Sequence, residues 1–239
     1  MPDSKKTKPA LQSLFSSFTT ALLLVLCAPA CPGQPAQTNG SEMFCIDLSK
    51  FFNTQLTNTL ECPLSVKENN LGAMPTGRQI FSGVPFVVEG VVQLSGRKLQ
   101  EWGRNEFPEA INGIPVGRKF SRLYALHGAG GVFDPERVTI GKLAFHYADG
   151  SVWEIEIKTA VHVRDFWGDP KQELMGTTSE LAWTGTNPAL KEYEGDKPSA
   201  LRIYKTRFQN PKPGLSVSSI DYRSAMRNSS PFLLALTVE

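Results

Sequence analysis

The chain has 239 residues, 41% of them hydrophobic and 20% charged, with four cysteines and a formal net charge of +2. That composition fits one large or two small globular domains and excludes a chain disordered throughout. The charge excess is too small for a nucleic-acid footprint, which needs a basic stripe or patch, so nucleic acid is set aside as a partner.

In chain order, the first predicted element is a leader. Lys5, Lys6 and Lys8 precede an apolar run from Ala21 to Cys27, and Ala28-Pro29-Ala30 then has the small-x-small form of a signal-peptidase site. Residues 1–30 are expected to be a secretory signal, since the run is short for a bilayer span. Removing Lys5, Lys6, Lys8 and Asp3 from 25 basic and 23 acidic residues leaves the two signs in balance. Residues 31–42 are rich in Pro, Gly, Gln and Asn and read as a flexible tether. Cys31 stands where a lipid-anchored bacterial protein carries its acylated cysteine, although Ala28 and Pro29 depart from the usual residues. Soluble secretion and attachment at Cys31 both remain open. Either gives a secreted, periplasmic or cell-surface location, with membrane contact only through the anchor.

Residues 43–239 read as a single domain. Candidate strands are 43–48, 79–88 with a kink at Gly83-Val84-Pro85, 91–94, 119–126, 139–147, 152–158, 161–164, 181–184, 201–208, 215–222 and 232–238. About eleven short strands with Gly, Pro, Asn and Asp punctuation point to an all-β, antiparallel β-sandwich or barrel. The only helix expected is a short one over 49–56, capped by Ser49, with Phe51-Phe52 plugging one end of the sandwich. Cys45 and Cys62 form an even pair in an oxidising compartment, and a disulfide between them is expected, contributing about 3 kcal/mol. The continuous apolar run Phe232–Leu236 predicts a central strand covered on both faces.

The clearest local pattern is a hairpin over 138–158 around Asp149-Gly150. A two-residue Asp149-Gly150 loop would set Phe145 against Glu154. A three-residue loop or a bulge near Ser151 is therefore expected, pairing Tyr147 with Trp153, Phe145 with Ile155 and Leu143 with Ile157. That register places Trp153 in the core and His146 beside Glu154.

Several segments together carry a resemblance: Phe81–Phe86, Leu123–Gly128, Tyr147–Gly150, Asn210–Pro213 and Leu234–Thr237. Through them residues 43–239 resemble the jelly-roll, galactose-binding-like modules of bacterial secreted proteins, of the carbohydrate-binding-module kind. The resemblance implies a jelly-roll sandwich and sugar binding, and it transfers no site residue.

Binding residues have to come from the chain itself. Sugar recognition uses aromatic rings for apolar sugar faces and charged or amide groups for hydroxyls. The segment after the hairpin offers Arg164, Asp165, Trp167 and Asp169 in one short stretch, and the loop after Trp183 offers Asn187. These five are the candidate ligand-binding residues. Loops on a rigid scaffold are where such function concentrates. Asp134, Asp165, Asp169 and Asp196 could hold a structural calcium, though no EF-hand pattern occurs. His127, His146 and His162 lack metal-ligand spacing, and zinc would require the fold to bring His127 and His162 together. No GxSxG elbow, HExxH or P-loop is present, so no catalytic residue is assigned.

The first expectation is thus a non-catalytic module binding a glycan or cell-surface polymer. A structural or protein-interaction domain of the cell envelope is the second. An extracellular polysaccharide hydrolase is the third, and it would need two carboxylates facing one cleft.

Overall fold

Alternating apolar residues and frequent turn punctuation produce strands throughout the computed structural model, which describes residues 42–63, 65–131 and 133–239. The expected signal, the tether up to Ser41 and Cys31 lie outside the described residues. The strands are β1 Phe44–Ile46, β2 Gly77–Phe81, β3 Val84–Val88, β4 Val92–Gln93, β5 Ala110–Arg118, β6 Arg122–Gly130 and β7 Thr139–Tyr147. They continue as β8 Val152–Lys158, β9 Trp167–Gly168, β10 Ser179–Gly185, β11 Ala200–Gln209, β12 Val217–Ser224 and β13 Ser230–Val238. Two short helices, α1 Arg97–Glu101 and α2 Pro188–Glu194, complete the inventory.

The strands form antiparallel sheets in a sandwich-like arrangement, and the fold is all-β. One sheet runs β1-β13-β6-β11-β10, with β4 added to β13 and β9 to β11; the other runs β5-β12-β7-β8; β2 and β3 make a separate hairpin. One core lies between the two larger sheets, where Leu123 and Ala125 of β6 and Leu236 of β13 meet Leu143, Phe145, Ile220 and Tyr222. A second lies on the opposite face of the larger sheet, where Tyr124, Leu126, Phe232 and Leu234 are covered by Phe81, Phe86, Leu60, Leu71 and Phe166. The larger sheet is therefore a middle layer. Its central strand β13 is buried along its whole length, which accounts for the continuous apolar run. The register shift between Leu233 and Ala235 is visible in the packing: Leu234 and Ala235 both face the second core before Leu236 returns to the first.

The hairpin of β7 and β8 corrects the expected register. Its loop is the three residues Ala148-Asp149-Gly150: the Tyr147 N–H donates to the Ser151 carbonyl at 2.9 Å, and Gly150 takes φ 82°. Trp153 consequently faces Phe145 and Ile155 faces Leu143. The expected Tyr147–Trp153 pair is displaced by two residues, a shift that keeps every side chain on its assigned face. His146 faces Val152 and bonds Asp221 at 2.7 Å, while Glu154 bonds Lys142 at 2.8 Å. Trp153 is not core, being 47% exposed, because β8 is the edge strand of its sheet and burial is complete only by Ile157.

Three further expectations change. Residues 49–56 make a turn and an isolated bridge instead of a helix, although Phe51 and Phe52 do pack against the inter-sheet core. Residues 161–164 contribute one bridge, Thr159 to Val163, and no strand. Cys45 and Cys62 are free thiols. Cys45 pairs with Thr237 at one end of β13, whereas Glu61 beside Cys62 packs on Gly130, which pairs with Ser230 at the other end. Seven strand residues separate those ends by roughly 23 Å. A disulfide needs Cα atoms within about 7 Å.

Candidate functional site

Five chain segments meet over the Gly130 end of the middle sheet and line a cleft of about 350 Å³. The connection from β1 to β2 supplies Glu61, Cys62, Val66 and Asn69; Trp102 follows α1, and Gly131 and Phe133 follow β6. Asp165, Phe166 and Trp167 come from the approach to β9, and Tyr193 and Glu194 from the last turn of α2.

Trp167 is fixed from both backbone and side chain. It pairs with Leu201 on β11, while the Phe166 N–H donates to the Ala129 carbonyl at 2.8 Å and Asp165 bridges Ala129. The Asp165 carboxyl accepts the Trp167 backbone N–H at 2.9 Å. The indole Nε1–H donates to Asn69 Oδ1 at 2.8 Å. Asn69 is itself buried and donates from Nδ2 to the Leu60 carbonyl at 2.7 Å. It thereby ties the aromatic wall to the loop that carries Glu61.

Glu61 is the unusual group in the cleft. It is 4% exposed and takes φ 49°, a left-handed conformation that a non-glycine residue adopts only when its surroundings impose it. Its side chain lies flat over Gly130, where any Cβ would collide with it. Oε1 accepts a hydrogen bond from Gln93 Nε2. Oε2 is buried without a hydrogen-bond partner of ordinary geometry, although the Ser230 hydroxyl is close enough to act on it. Burial pushes the carboxyl well above the usual range; Asp165 raises it further, while Gln93, Ser230 and Arg104 pull the other way. Glu61 thus favours its neutral form more strongly than an ordinary carboxyl does. Burial likewise raises the Cys62 thiol, leaving it protonated and a weak nucleophile.

The five residues selected from the sequence are distributed as follows. Asp165 and Trp167 line the cleft. Arg164 does not: it donates to the Glu173 carbonyl at 2.8 Å and to Glu136 at 3.1 Å, bordering a separate hollow with Asp134 and Arg202. Asp169 caps its own turn, accepting the Lys171 N–H at 2.8 Å. Asn187 is the buried N-cap of α2, accepting the Leu190 N–H at 2.7 Å ahead of Pro188. It reaches the cleft at second hand, donating to Asn69 Oδ1 at 3.1 Å.

Sequence reading passed over Glu61, Asn69, Trp102, Phe133 and Tyr193. One signal was available: β1 ends at Ile46 and β2 begins only at Gly77, and connections of that length without regular structure are commonly functional. Among the described residues no group of three His, Cys, Asp or Glu side chains is placed to hold a metal, and no helix is long and apolar enough to cross a membrane. The calcium candidates are dispersed, with Asp134 accepting both the N–H and the hydroxyl of Ser229 at 2.7 Å. Comparison with known proteins gave no match to a family model, a curated protein or a solved structure.

Proposed function

We propose that the cleft between Trp102 and Trp167 binds carbohydrate and that the protein is a secreted or surface-attached glycan-binding module. The observation that carries this reading is the lining: five aromatic side chains, Trp102, Phe133, Phe166, Trp167 and Tyr193, share the cleft with the carboxyl groups of Glu61, Asp165 and Glu194. Rings supply flat apolar area for sugar faces, and carboxyl oxygens accept from sugar hydroxyls. The anchoring of Trp167 through Asn69 adds support, because a preorganised ring loses little entropy on binding. The aromatic walls keep their geometry through contacts of their own, with Trp102 edge-on to Phe133 at 6.3 Å and Trp167 tilted against Tyr193 at 6.3 Å.

A glycan array probed with the full chain, followed by calorimetry on the ligands it retains, tests the reading. Trp167→Ala is expected to weaken binding at least about tenfold, as loss of one stacked ring does. Trp153→Ala, which removes an exposed indole on the other sheet, leaves it unchanged. The opposite outcome, or no saccharide retained, overturns the proposal.

Glu61 and Asp165 in one cleft also favour a second reading, hydrolysis, since glycosidases set a protonated carboxyl beside an ionised one. Release of reducing ends from a bound oligosaccharide, lost in Glu61→Gln, is the result that would establish it.

A further inference from the structure

We infer that the cleft selects saccharides bearing a free amine, with the ammonium seated against Glu61 and Asp165 and the sugar face against the aromatic walls. This rests on the carbohydrate reading of the same site and narrows it to one ligand charge.

Charge is the first argument. Every charged residue lining the cleft is acidic: Glu61, Asp165 and Glu194. The nearest cations already have carboxylate or carbonyl partners. Arg104 donates to the carbonyls of Cys62 at 3.1 Å and Thr59 at 3.2 Å, and pairs with Glu106. Lys98 pairs with Glu101 at 2.7 Å, Lys197 meets Glu194 at 3.2 Å on the exposed rim, and Arg202 is spent on the carbonyls of Asp165, Trp167 and Asp169. A uronate or sulfated sugar would meet three carboxyl groups and only cations that are already paired. An ammonium would meet carboxyl groups and aromatic faces, the two partners that organic cations use.

The second argument is the buried oxygen. Glu61 Oε2 has no hydrogen-bond partner of ordinary geometry, although the Ser230 hydroxyl acts on it, and its side chain is held inside by a left-handed backbone and by contact with Gly130. Buried polar atoms are satisfied in the great majority of cases, and an exception at the floor of a cleft marks a place for a ligand donor. Burial and Asp165 keep Glu61 protonated when the cleft is empty, against the pull of Arg104, Gln93 and Ser230; the Tyr222 hydroxyl also faces it from the second sheet. A bound ammonium reverses that balance. Glu61 then gives up its proton to solvent, so binding of the amine is accompanied by proton release.

Calorimetry of the full chain with three hexasaccharides decides the matter: glucosamine, N-acetylglucosamine and galacturonate, at mildly acidic pH where the sugar amine is protonated. The glucosamine oligomer is expected to bind at least tenfold more tightly than either of the others. Its affinity should fall between about 50 mM and about 500 mM salt, and its binding heat should vary with the ionisation enthalpy of the buffer. Glu61→Gln should remove the tenfold preference for the amine over the acetamide. Equal binding of the amine and the acetamide, or tighter binding of galacturonate, overturns the inference and leaves carbohydrate binding standing. Failure of all three, together with an empty glycan array, removes both. The ligand series uses the unmodified chain and does not depend on the variant folding.

Discussion

Asn69 is the residue on which the geometry of the cleft turns. Its one side-chain oxygen receives both the Trp167 indole N–H and the Asn187 amide, and its one amide group reaches the Leu60 carbonyl beside Glu61. Removing a buried group of this kind strands its partners, which costs more than the bonds themselves contribute. Asn69→Ala is therefore expected to destabilise by about 2–3 kcal/mol and to lower Tm by roughly 5–10 °C. Because Trp167 loses its indole hydrogen bond, saccharide affinity should fall alongside. A calorimetric melt with a matched binding titration checks both. Unchanged affinity in a destabilised protein would separate Asn69 from the site and make it structural alone.

At the scale of elements, what the sequence revealed follows from how local each signal is. The spans of β7 and β8 were legible because alternation and the Asp149-Gly150 turn lie within one short stretch. The three-residue loop is as expected, and the pairing set upon it was off by two residues, a shift to which period-two alternation is blind. β5 escaped detection for a different reason: Gly113, Pro115 and Gly117 read as turn punctuation, yet on an edge strand they form irregular pairings, and Asp221 accepts the Gly113 N–H at 2.8 Å. The cleft was half legible. Asp165 and Trp167 sit close together in sequence, but Glu61, Trp102 and Tyr193 converge on them only through folding. Exposure within the hairpin makes a stability prediction. Phe145 is fully buried and meets Phe120 edge-on at 5.5 Å, so Phe145→Ala should cost about 3–5 kcal/mol. Its cross-strand partner Trp153 stands largely in water, and Trp153→Ser should cost below about 1 kcal/mol. Denaturant unfolding of the two variants compares them directly, and equal losses would place Trp153 back in the core.

Across the whole molecule, one buried histidine, one half-buried histidine and one buried acid set the response to pH. His127 bonds Thr206 at 2.7 Å, and burial, with a smaller contribution from His162, brings it down to about 3. His162 accepts the Lys158 N–H at Nδ1 and is brought down to about 4 by burial and then by Lys158. Both rings stay neutral in the fold while the unfolded chain protonates them near 6.5, so stability falls as pH drops from about 6.5 toward about 4. Glu61 has the opposite sign. The fold retains its proton well above the ordinary 4.5, so the unfolded chain binds fewer protons there and stability falls as pH rises, until Glu61 ionises in the fold as well. Each uncompensated proton is worth about 1.4 kcal/mol per pH unit. Stability should therefore decline toward acid through the histidines and toward alkali through Glu61. Urea titrations across pH 4.5–9 measure the curve, with Glu61→Gln as the control. That substitution removes the alkaline decline and leaves the acid limb, because the histidines are untouched. A variant whose alkaline limb matches that of the unmodified chain would show that Glu61 is not the group holding the proton.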